Sequence, residues 1–419
     1  MPATTPLTRP VLVVLGLLCA VAPLSTDLYL AGLPQLTHDL ATTEAGAQLT
    51  LTAVLVGLGL GQFVVGPLSD GWGRRRLLVG GTLVFVVASV ACTLAPSIEA
   101  LVAARLVQGL GGSAGLVLAR AIVVDATQGR TTVRLMGMVM LVGSLAPAVG
   151  PPLGGLVVTA GGWRAVLAVV AALAVVLAVL VTALVPETLP PEQRRAGGLR
   201  LVAGSTRVVL ARPVFVGYLV AFVAGFAALF SYISASSFVL QDVLGLSARA
   251  YSLDFGANAL AMVVMAGIAM RSAGRTASRL DPARMLRTGL LAVLSGALVL
   301  TAAALIGAPA PVLLPVLGVC VASLGWVMVN ATVLAAEEVR DHAGTGSACL
   351  GTLQFLAGAL VSPLFGLLGV ASAWPMGAAM AACAGLGLGG VALATRATRS
   401  RTAPTGFSAP AASAPGTPA

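Results

Sequence analysis

Asp27 is the first residue able to do chemistry, because it is an acid inside an apolar stretch. It lies in Ser25-Thr26-Asp27-Leu28-Tyr29-Leu30, within an apolar run over roughly residues 11–33. Seventeen residues from the helix start place it about 25 Å along an α-helix, in the outer third of a membrane span. An ionised Asp costs roughly 2.5–3.5 kcal/mol at a span's centre and less towards the interface. Two readings follow. Asp27 is an interfacial carboxylate at the mouth of the first helix, or it is a protonatable group in a water-filled cavity. In the second, burial opposes the charge and a nearby arginine favours it, so a carboxyl balanced between them exchanges a proton as the cavity changes sides. Arg105, in Arg105-Leu106-Val107-Gln108-Gly109, is the expected partner. It too has a second reading, an arginine snorkelling to the interface. Two opposite charges at similar depth on helices 1 and 4 favour a shared cavity.

A second constellation reads Gly66-Pro67-Leu68-Ser69-Asp70-Gly71-Trp72-Gly73-Arg74-Arg75-Arg76. Gly66-Pro67 is expected to end helix 2, and Gly71 and Gly73 to allow a tight turn. Asp70 is an odd acid in a basic turn, and its expected contact is Arg74 or a helix N-terminus. Further on, Pro147 and Pro151 each remove a backbone donor, while Gly143, Gly150, Gly154 and Gly155 permit close helix contact. Ordinary close packing explains these glycines equally well. Tyr218, Phe222, Phe226 and Phe230 recur every four residues, as a packing stripe or as an aromatic wall for a planar substrate. Tyr29, Gln108, Phe230, Ser236, Asn258 and Gln354 are candidates for lining a substrate cavity. Asp254 is either an exposed helix-start residue or an extra cavity charge.

Other chemistry finds no residues to carry it. No phosphate-binding Gly-rich loop precedes a Lys, so no direct use of ATP is expected. The two histidines, His38 and His342, fall in expected loops. No Ser/His/Asp set is persuasive, and no enzyme activity, cofactor or metal is expected. Cys19, Cys92, Cys320, Cys349 and Cys383 lie in apolar runs without metal-ligand spacing and read as small packing residues. A lipoprotein reading of Cys19 fails on Leu18. A signal-peptide reading of residues 11–24 yields to an uncleaved first helix, because the apolar stretch continues.

The elements that must position these residues follow from composition. The chain has 419 residues, 58% hydrophobic and 9% charged, with a mean hydropathy of +1.01. About 25% charged residues is usual for a soluble domain, so a soluble enzyme, a secreted domain and a disordered chain are excluded. Apolar runs fall at about 11–33, 47–68, 77–95, 99–121, 133–158, 163–185, 213–238, 252–270, 285–306, 311–333, 346–369 and 373–394. Twelve spans of about 21 residues fit the length. The fold class is therefore all-α membrane, with twelve transmembrane helices in two six-helix halves. The N-terminal half is expected over 11–185 and the C-terminal half over 213–394. A ten-residue N-terminus precedes them, a central loop over 186–212 joins them, and a tail over 395–419, rich in Ala, Pro, Ser and Thr, is expected to be disordered.

All 24 basic residues are arginine, giving a net charge of +10. They form short clusters between apolar runs rather than a stripe beside aromatics, so a nucleic-acid partner is not expected. With the N-terminus inside, 21 of the 24 fall on the cytoplasmic side, which favours both termini cytoplasmic. The expected setting is the inner (cytoplasmic) membrane, the expected partners are a small-molecule substrate, protons and the lipid bilayer, and the expected working unit is a monomer.

These motifs together resemble the major facilitator superfamily. The Asp70 junction is similar to its loop 2–3 signature, Arg105-x-x-Gln108-Gly109 to its helix-4 signature, and GSLAPAVGPPLGG at 143–155 to the helix-5 pattern of its antiporters. TDLYLAGLP, ARAIVVDA, SYISASSFVLQDVLGLS, Ala336-Glu337 and GTLQFLAGALVSPLFGLLG resemble the Bcr/CflA drug-resistance subfamily. The resemblance implies proton-coupled efflux of small amphipathic drugs by alternating access. It implies a coupling role for Asp27 and Arg105, a latch at Asp70, Arg74, Gly66 and Gly73, and a bendable, leak-tight interface at Gly143, Pro147, Gly150, Pro151 and Gly154. The same-class alternatives are an exporter of an endogenous metabolite and a proton-coupled importer; a membrane-embedded enzyme or sensor is the different-class one. Gly71 and Val124 stand where the family usually has arginine, which implies a weaker or redistributed clamp.

Overall fold

A computed structural model describes residues 7–194, 199–273, 281–368 and 372–402. Arg195, Arg275, Arg279 and the tail from 403 fall outside them. Every regular element among the described residues is helical. The first half holds α1 (Arg9–Asp27), α2 (Leu33–Asp39), α3 (Glu44–Trp72), α4 (Arg74–Thr93), α5 (Ile98–Ala126) and α6 (Arg130–Leu184). A short α7 (Leu199–Leu210) lies in the central connection. The second half holds α8 (Pro213–Phe238), α9 (Ala248–Ala273), α10 (Pro282–Leu305), α11 (Ala310–Glu338), α12 (Ala343–Leu368) and α13 (Trp374–Thr402).

Eleven of these stretches are long and apolar enough to cross a membrane. One of them, Arg134–Leu184, has 51 residues. At 1.5 Å per residue it would reach about 76 Å, against a hydrocarbon core of about 30 Å. It folds back at Gly162, whose φ of 75° and ψ of −177° are the one non-helical pair inside α6. Such dihedrals are essentially restricted to glycine. The two arms give spans five and six, so the chain makes twelve crossings. The turn is fixed from outside: Trp163 N donates to Gln35 Oε1 at 3.2 Å and Trp163 Nε1 to Asp39 Oδ2 at 2.9 Å, both on α2.

Local sequence sets the helix starts. Thr43, Ser97 and Asp281 accept a backbone N–H of the first turn at 3.1, 3.4 and 3.2 Å, caps worth about 1 kcal/mol each. Pro10, Pro213 and Pro282 occupy the first positions of α1, α8 and α10, where no N–H is needed. The helices then pack through one face and show Val87, Leu360 and Leu386 outward at 69%, 73% and 65% exposure, as suits lipid as solvent.

Within the halves α1 packs on α5 and α6, α3 and α4 on α5, α8 on α11 and α13, and α10 on α11 and α13. Across the halves α3 meets α12 and α6 meets α9. Five hydrogen bonds join the halves near the end where α1 stops: Ser237 Oγ to Leu30 O, Gln241 Nε2 to Ala31 O, Gln48 Nε2 to Ser234 O, Ser362 Oγ to Gln48 O and Thr52 Oγ1 to Ala359 O, at 2.5–3.5 Å.

Three boundaries differ from expectation. The first span is not one helix: α1 stops at Asp27, and a 3-10 turn over Leu30–Gly32 leads into α2. Gly66-Pro67 does not end helix 2, since α3 runs through both to Trp72; a proline there meets a lipid-facing turn rather than a packed one. α13 continues to Thr402, past the expected tail boundary, because Ala394, Arg396, Ala397, Arg399 and Arg401 are strong helix formers.

Candidate functional site

The site lies where α1 breaks. Asp27, the last residue of α1, is 4% exposed. Its carboxylate accepts from the adjacent Thr26 Oγ1 at 3.2 Å, and that hydroxyl also donates to Pro23 O at 2.7 Å. The side chain enters a cavity of about 50 Å³ shared by the two halves. From the first half come Asp27 and Pro147. From the second come Leu229, Tyr232 and Ile233 of α8, Phe255, Ala259 and Met262 of α9, and Val321 of α11. Tyr232 and Phe255 stack with centroids 5.0 Å apart. The lining is thus apolar and aromatic with one acid, a composition suited to amphipathic guests.

α6 is the wall that brings this acid to the midline. A methyl group on Gly150 would stand 3.4 Å from the Asp27 Cβ, and one on Gly143 would stand 3.2 Å from the Cys19 Cβ. One on Gly154 would collide with Leu28 O. The neighbouring face of α6 meets the other half: Gly256 accepts Pro152, and Gly155 accepts Ser252 of α9. α6 therefore touches the broken end of α1 on one side and α9 on the other. Helical dihedrals persist through Pro147, Pro151 and Pro152, so in this state the prolines loosen the helix without breaking it.

Arg105 does not salt-bridge Asp27. Its side chain is fully buried, and Nη1 donates to Ser25 O at 2.9 Å and Gln108 Oε1 at 2.7 Å. Its guanidinium lies 4.0 Å from the centre of the Tyr29 ring, and Nε and Nη2 have no protein hydrogen-bond partner. The arginine thus caps the end of α1, whose last carbonyls lack helical partners. Gln108 Nε2 donates to Ser89 Oγ at 2.8 Å, and Tyr29 OH pairs with Thr50 Oγ1. This network ties α1 to α3, α4 and α5 behind Asp27. Tyr29 and Gln108 belong to it and do not line the cavity, contrary to the sequence-based expectation.

The other cavity candidates divide. Asn258 Nδ2 donates to Tyr232 OH at 3.3 Å and to Asp254 Oδ2 at 3.1 Å, so it backs the wall. Asp254 is half-buried beside it, not a free helix-start residue. Ser236 Oγ lies 3.4 Å from Tyr251 OH, one layer behind. Phe230 stacks on Phe226 at 5.4 Å and covers Gly358, within the packing between α8 and α12. Gln354 is half-buried on α12. Tyr232 and Phe255, which do form the wall, were not singled out from sequence. Their signal was available: positions 229, 232 and 233 share one helix face, as do 255, 259 and 262.

The Asp70 cluster sits at the other end of the bundle. Arg74, 12% exposed, donates to Asp70 Oδ1 at 2.6 Å, to Asp125 Oδ2 at 2.8 Å and to Ser69 Oγ. Glu187 of the central loop accepts from Arg74 N at 2.9 Å and Arg75 N at 3.3 Å, capping α4 with a carboxylate. Gly73 joins α3 to α4 at φ 93° and ψ 153°. A Cβ there would stand 2.5 Å from Glu187 Oε2 and 2.8 Å from Arg194 Nη2. The cluster therefore binds the first half to the central loop and, in this state, does not latch the two halves. Arg74 alone serves both carboxylates of the cluster, Asp70 and Asp125. Gly66 joins it through its backbone alone: its carbonyl accepts from Ser69 Oγ at 2.7 Å, and a Cβ there would meet nothing within 4 Å. On the same side, Arg212 pairs with Asp341 and holds its carboxyl below the ordinary carboxylate range.

Comparison with known proteins agrees with this arrangement. The model of the Major Facilitator Superfamily matches residues 15–363. An uncharacterized MFS-type transporter, YdgK, of Bacillus subtilis is 36% identical, over 89% of this chain and 92% of that protein. A chloramphenicol resistance protein of Pseudomonas aeruginosa is 34% identical, over 85% and 83%. The xylose transporter XylE of E. coli, solved in a partially occluded inward open conformation, superposes with a TM-score of 0.71 at 14% identity, covering 92% of this chain and 97% of that one.

Proposed function

This chain belongs to the major facilitator superfamily, and on that premise we propose that it is a proton-coupled efflux transporter of small amphipathic drugs. It works by alternating access, as a monomer in the inner membrane with both termini cytoplasmic. The observation that carries the reading is Asp27: a buried carboxylate with one side-chain partner, facing an aromatic cavity that the two halves share. A carboxylate bears its charge cheaply when water fills such a cavity and at a high cost when the halves close around it. Its proton is thereby tied to the side that is open. Drug and proton exchange in the same space, because an amphipathic guest on Tyr232 and Phe255 displaces the water that an ionised Asp27 needs.

The relative's name supports a drug as cargo, since a chloramphenicol resistance protein matches over most of both chains. The driving force is adequate: each pH unit supplies about 1.36 kcal/mol per proton and each 100 mV about 2.3 kcal/mol per charge. Expression in an efflux-deficient host tests the reading. Resistance to members of an antibiotic panel that includes chloramphenicol is expected, together with lower cellular drug content that a protonophore restores. Drug accumulation inside the cells would instead identify an importer.

A further inference from the structure

A basic groove lies away from the Asp27 cavity. It opens between α10 and α13 at the arginine-rich end of the bundle and encloses about 410 Å³, within the roughly 300–1,000 Å³ of small-molecule sites. Arg287, Arg396 and Arg399 line it beside Leu291, Leu388 and Val391. The spacing explains the arrangement. Leu388, Val391, Arg396 and Arg399 fall on one face of α13, and Arg287 and Leu291 are one turn apart on α10. Each helix thus presents leucine deeper in the membrane and arginine towards its end. No carboxylate lines the groove, and Arg287 and Arg396 have no acidic partner among the described residues. The nearby acid Asp281 faces Arg284 at 4.0 Å instead.

We propose that this groove binds an anionic phospholipid, its phosphate held by Arg287, Arg396 and Arg399 and an acyl chain lying on Leu291, Leu388 and Val391. Guanidinium groups suit phosphate oxygens because their planar fork donates two parallel hydrogen bonds. A basic recess between membrane helices at the headgroup level gathers the charge that one headgroup carries. The apolar floor supplies what a free anion would not use, so the occupant is a lipid and not phosphate alone. The site joins two peripheral helices of the second half and is independent of the transport reading.

Native mass spectrometry of the purified full chain tests this. The probes are phosphatidylglycerol, phosphatidylethanolamine with the same acyl chains, and inorganic phosphate. Phosphatidylglycerol should be retained at about a tenth of the concentration that phosphatidylethanolamine needs. Arg287→Gln and Arg396→Gln should each weaken phosphatidylglycerol about fivefold, the effect of about one surface charge, and leave phosphatidylethanolamine unchanged. Arg396→Lys should keep most of the preference, and Arg284→Gln all of it. Thermal unfolding in lipid-free detergent should be the same for every variant. Equal retention of the two lipids would overturn the proposal. So would unaltered phosphatidylglycerol binding in both Gln variants, or its displacement by inorganic phosphate at matching concentration.

Discussion

Arg105 shows how far residue types and spacing reach. An acid and a base within two apolar helices were legible, and both side chains are buried. Their pairing was not legible, because depth along a helix says nothing about azimuth. Asp27 turns to the second half, whereas Arg105 stays within the first and holds the carbonyl of Ser25. This changes what a substitution should do. Arg105→Ala removes the donor to Ser25 O and leaves Gln108 Oε1 with only the Cys92 thiol at 4.0 Å, at about 1.5–3 kcal/mol for each lost bond to a charged donor. A large fall in thermal stability in detergent is expected, with the pH profile of residual transport unmoved. Arg105→Lys should recover part of the stability, since an amine reaches one acceptor but lacks the fork. A displaced pH profile with wild-type stability would return Arg105 to direct coupling. At Asp70 the expected contact with Arg74 is present. Glu187 was invisible as a cap because it lies 113 residues from Arg74 in sequence.

At the scale of elements, apolar runs located the spans to within a few residues and parted the fifth from the sixth, but did not show that the first is broken. A run of hydrophobic residues reads the same whether the helix continues or turns, so the stop after Asp27 left no mark within the run 11–33, whereas the fold-back at Gly162 falls in the gap between the runs 133–158 and 163–185. Both depend on tertiary contacts, to Arg105 and to α2. On α8 and α9 the spacing groups 229, 232 and 233, and 255, 259 and 262, on one face each, but a helix apolar all round shows no amphipathic contrast to mark that face as the lining one. Glycines separate by the room around them. Gly73→Ala should cost about 1–3 kcal/mol for its glycine-only dihedrals and should also displace Glu187, lowering thermal stability and raising protease cleavage in the central loop. Gly66→Ala should be neutral, or stabilising by up to about 1 kcal/mol, because it adds a good helix former in open space. If both substitutions behave alike in thermal unfolding, the Gly73 turn does not organise this end. Gly154→Ala should impair transport more than Gly137→Ala, because the first would push α6 off Leu28 while the second meets nothing.

For the whole molecule, two bundles of spans share a cavity that Asp27 lines, and the hydrogen bonds between them gather at the end where α1 breaks. That end is closed in this state. Cysteines at Thr52 and Ala359, whose Thr52 Oγ1 and Ala359 O stand 3.3 Å apart, should cross-link in the resting protein. A lower yield is expected when drug and low external pH draw the protein through its cycle. A yield indifferent to both would mean that this seam does not open. The central claim is that Asp27 couples drug movement to protons through the shared cavity. Its most direct measurement compares wild type with Asp27→Asn in proteoliposomes loaded with a transported drug, first under an imposed pH gradient and then in drug–drug counterflow without one. The amide keeps the shape of the side chain and cannot titrate. Wild type should do both; Asp27→Asn should lose gradient-driven transport while retaining counterflow. Gradient-driven accumulation by the Asn variant at the wild-type level would contradict the account.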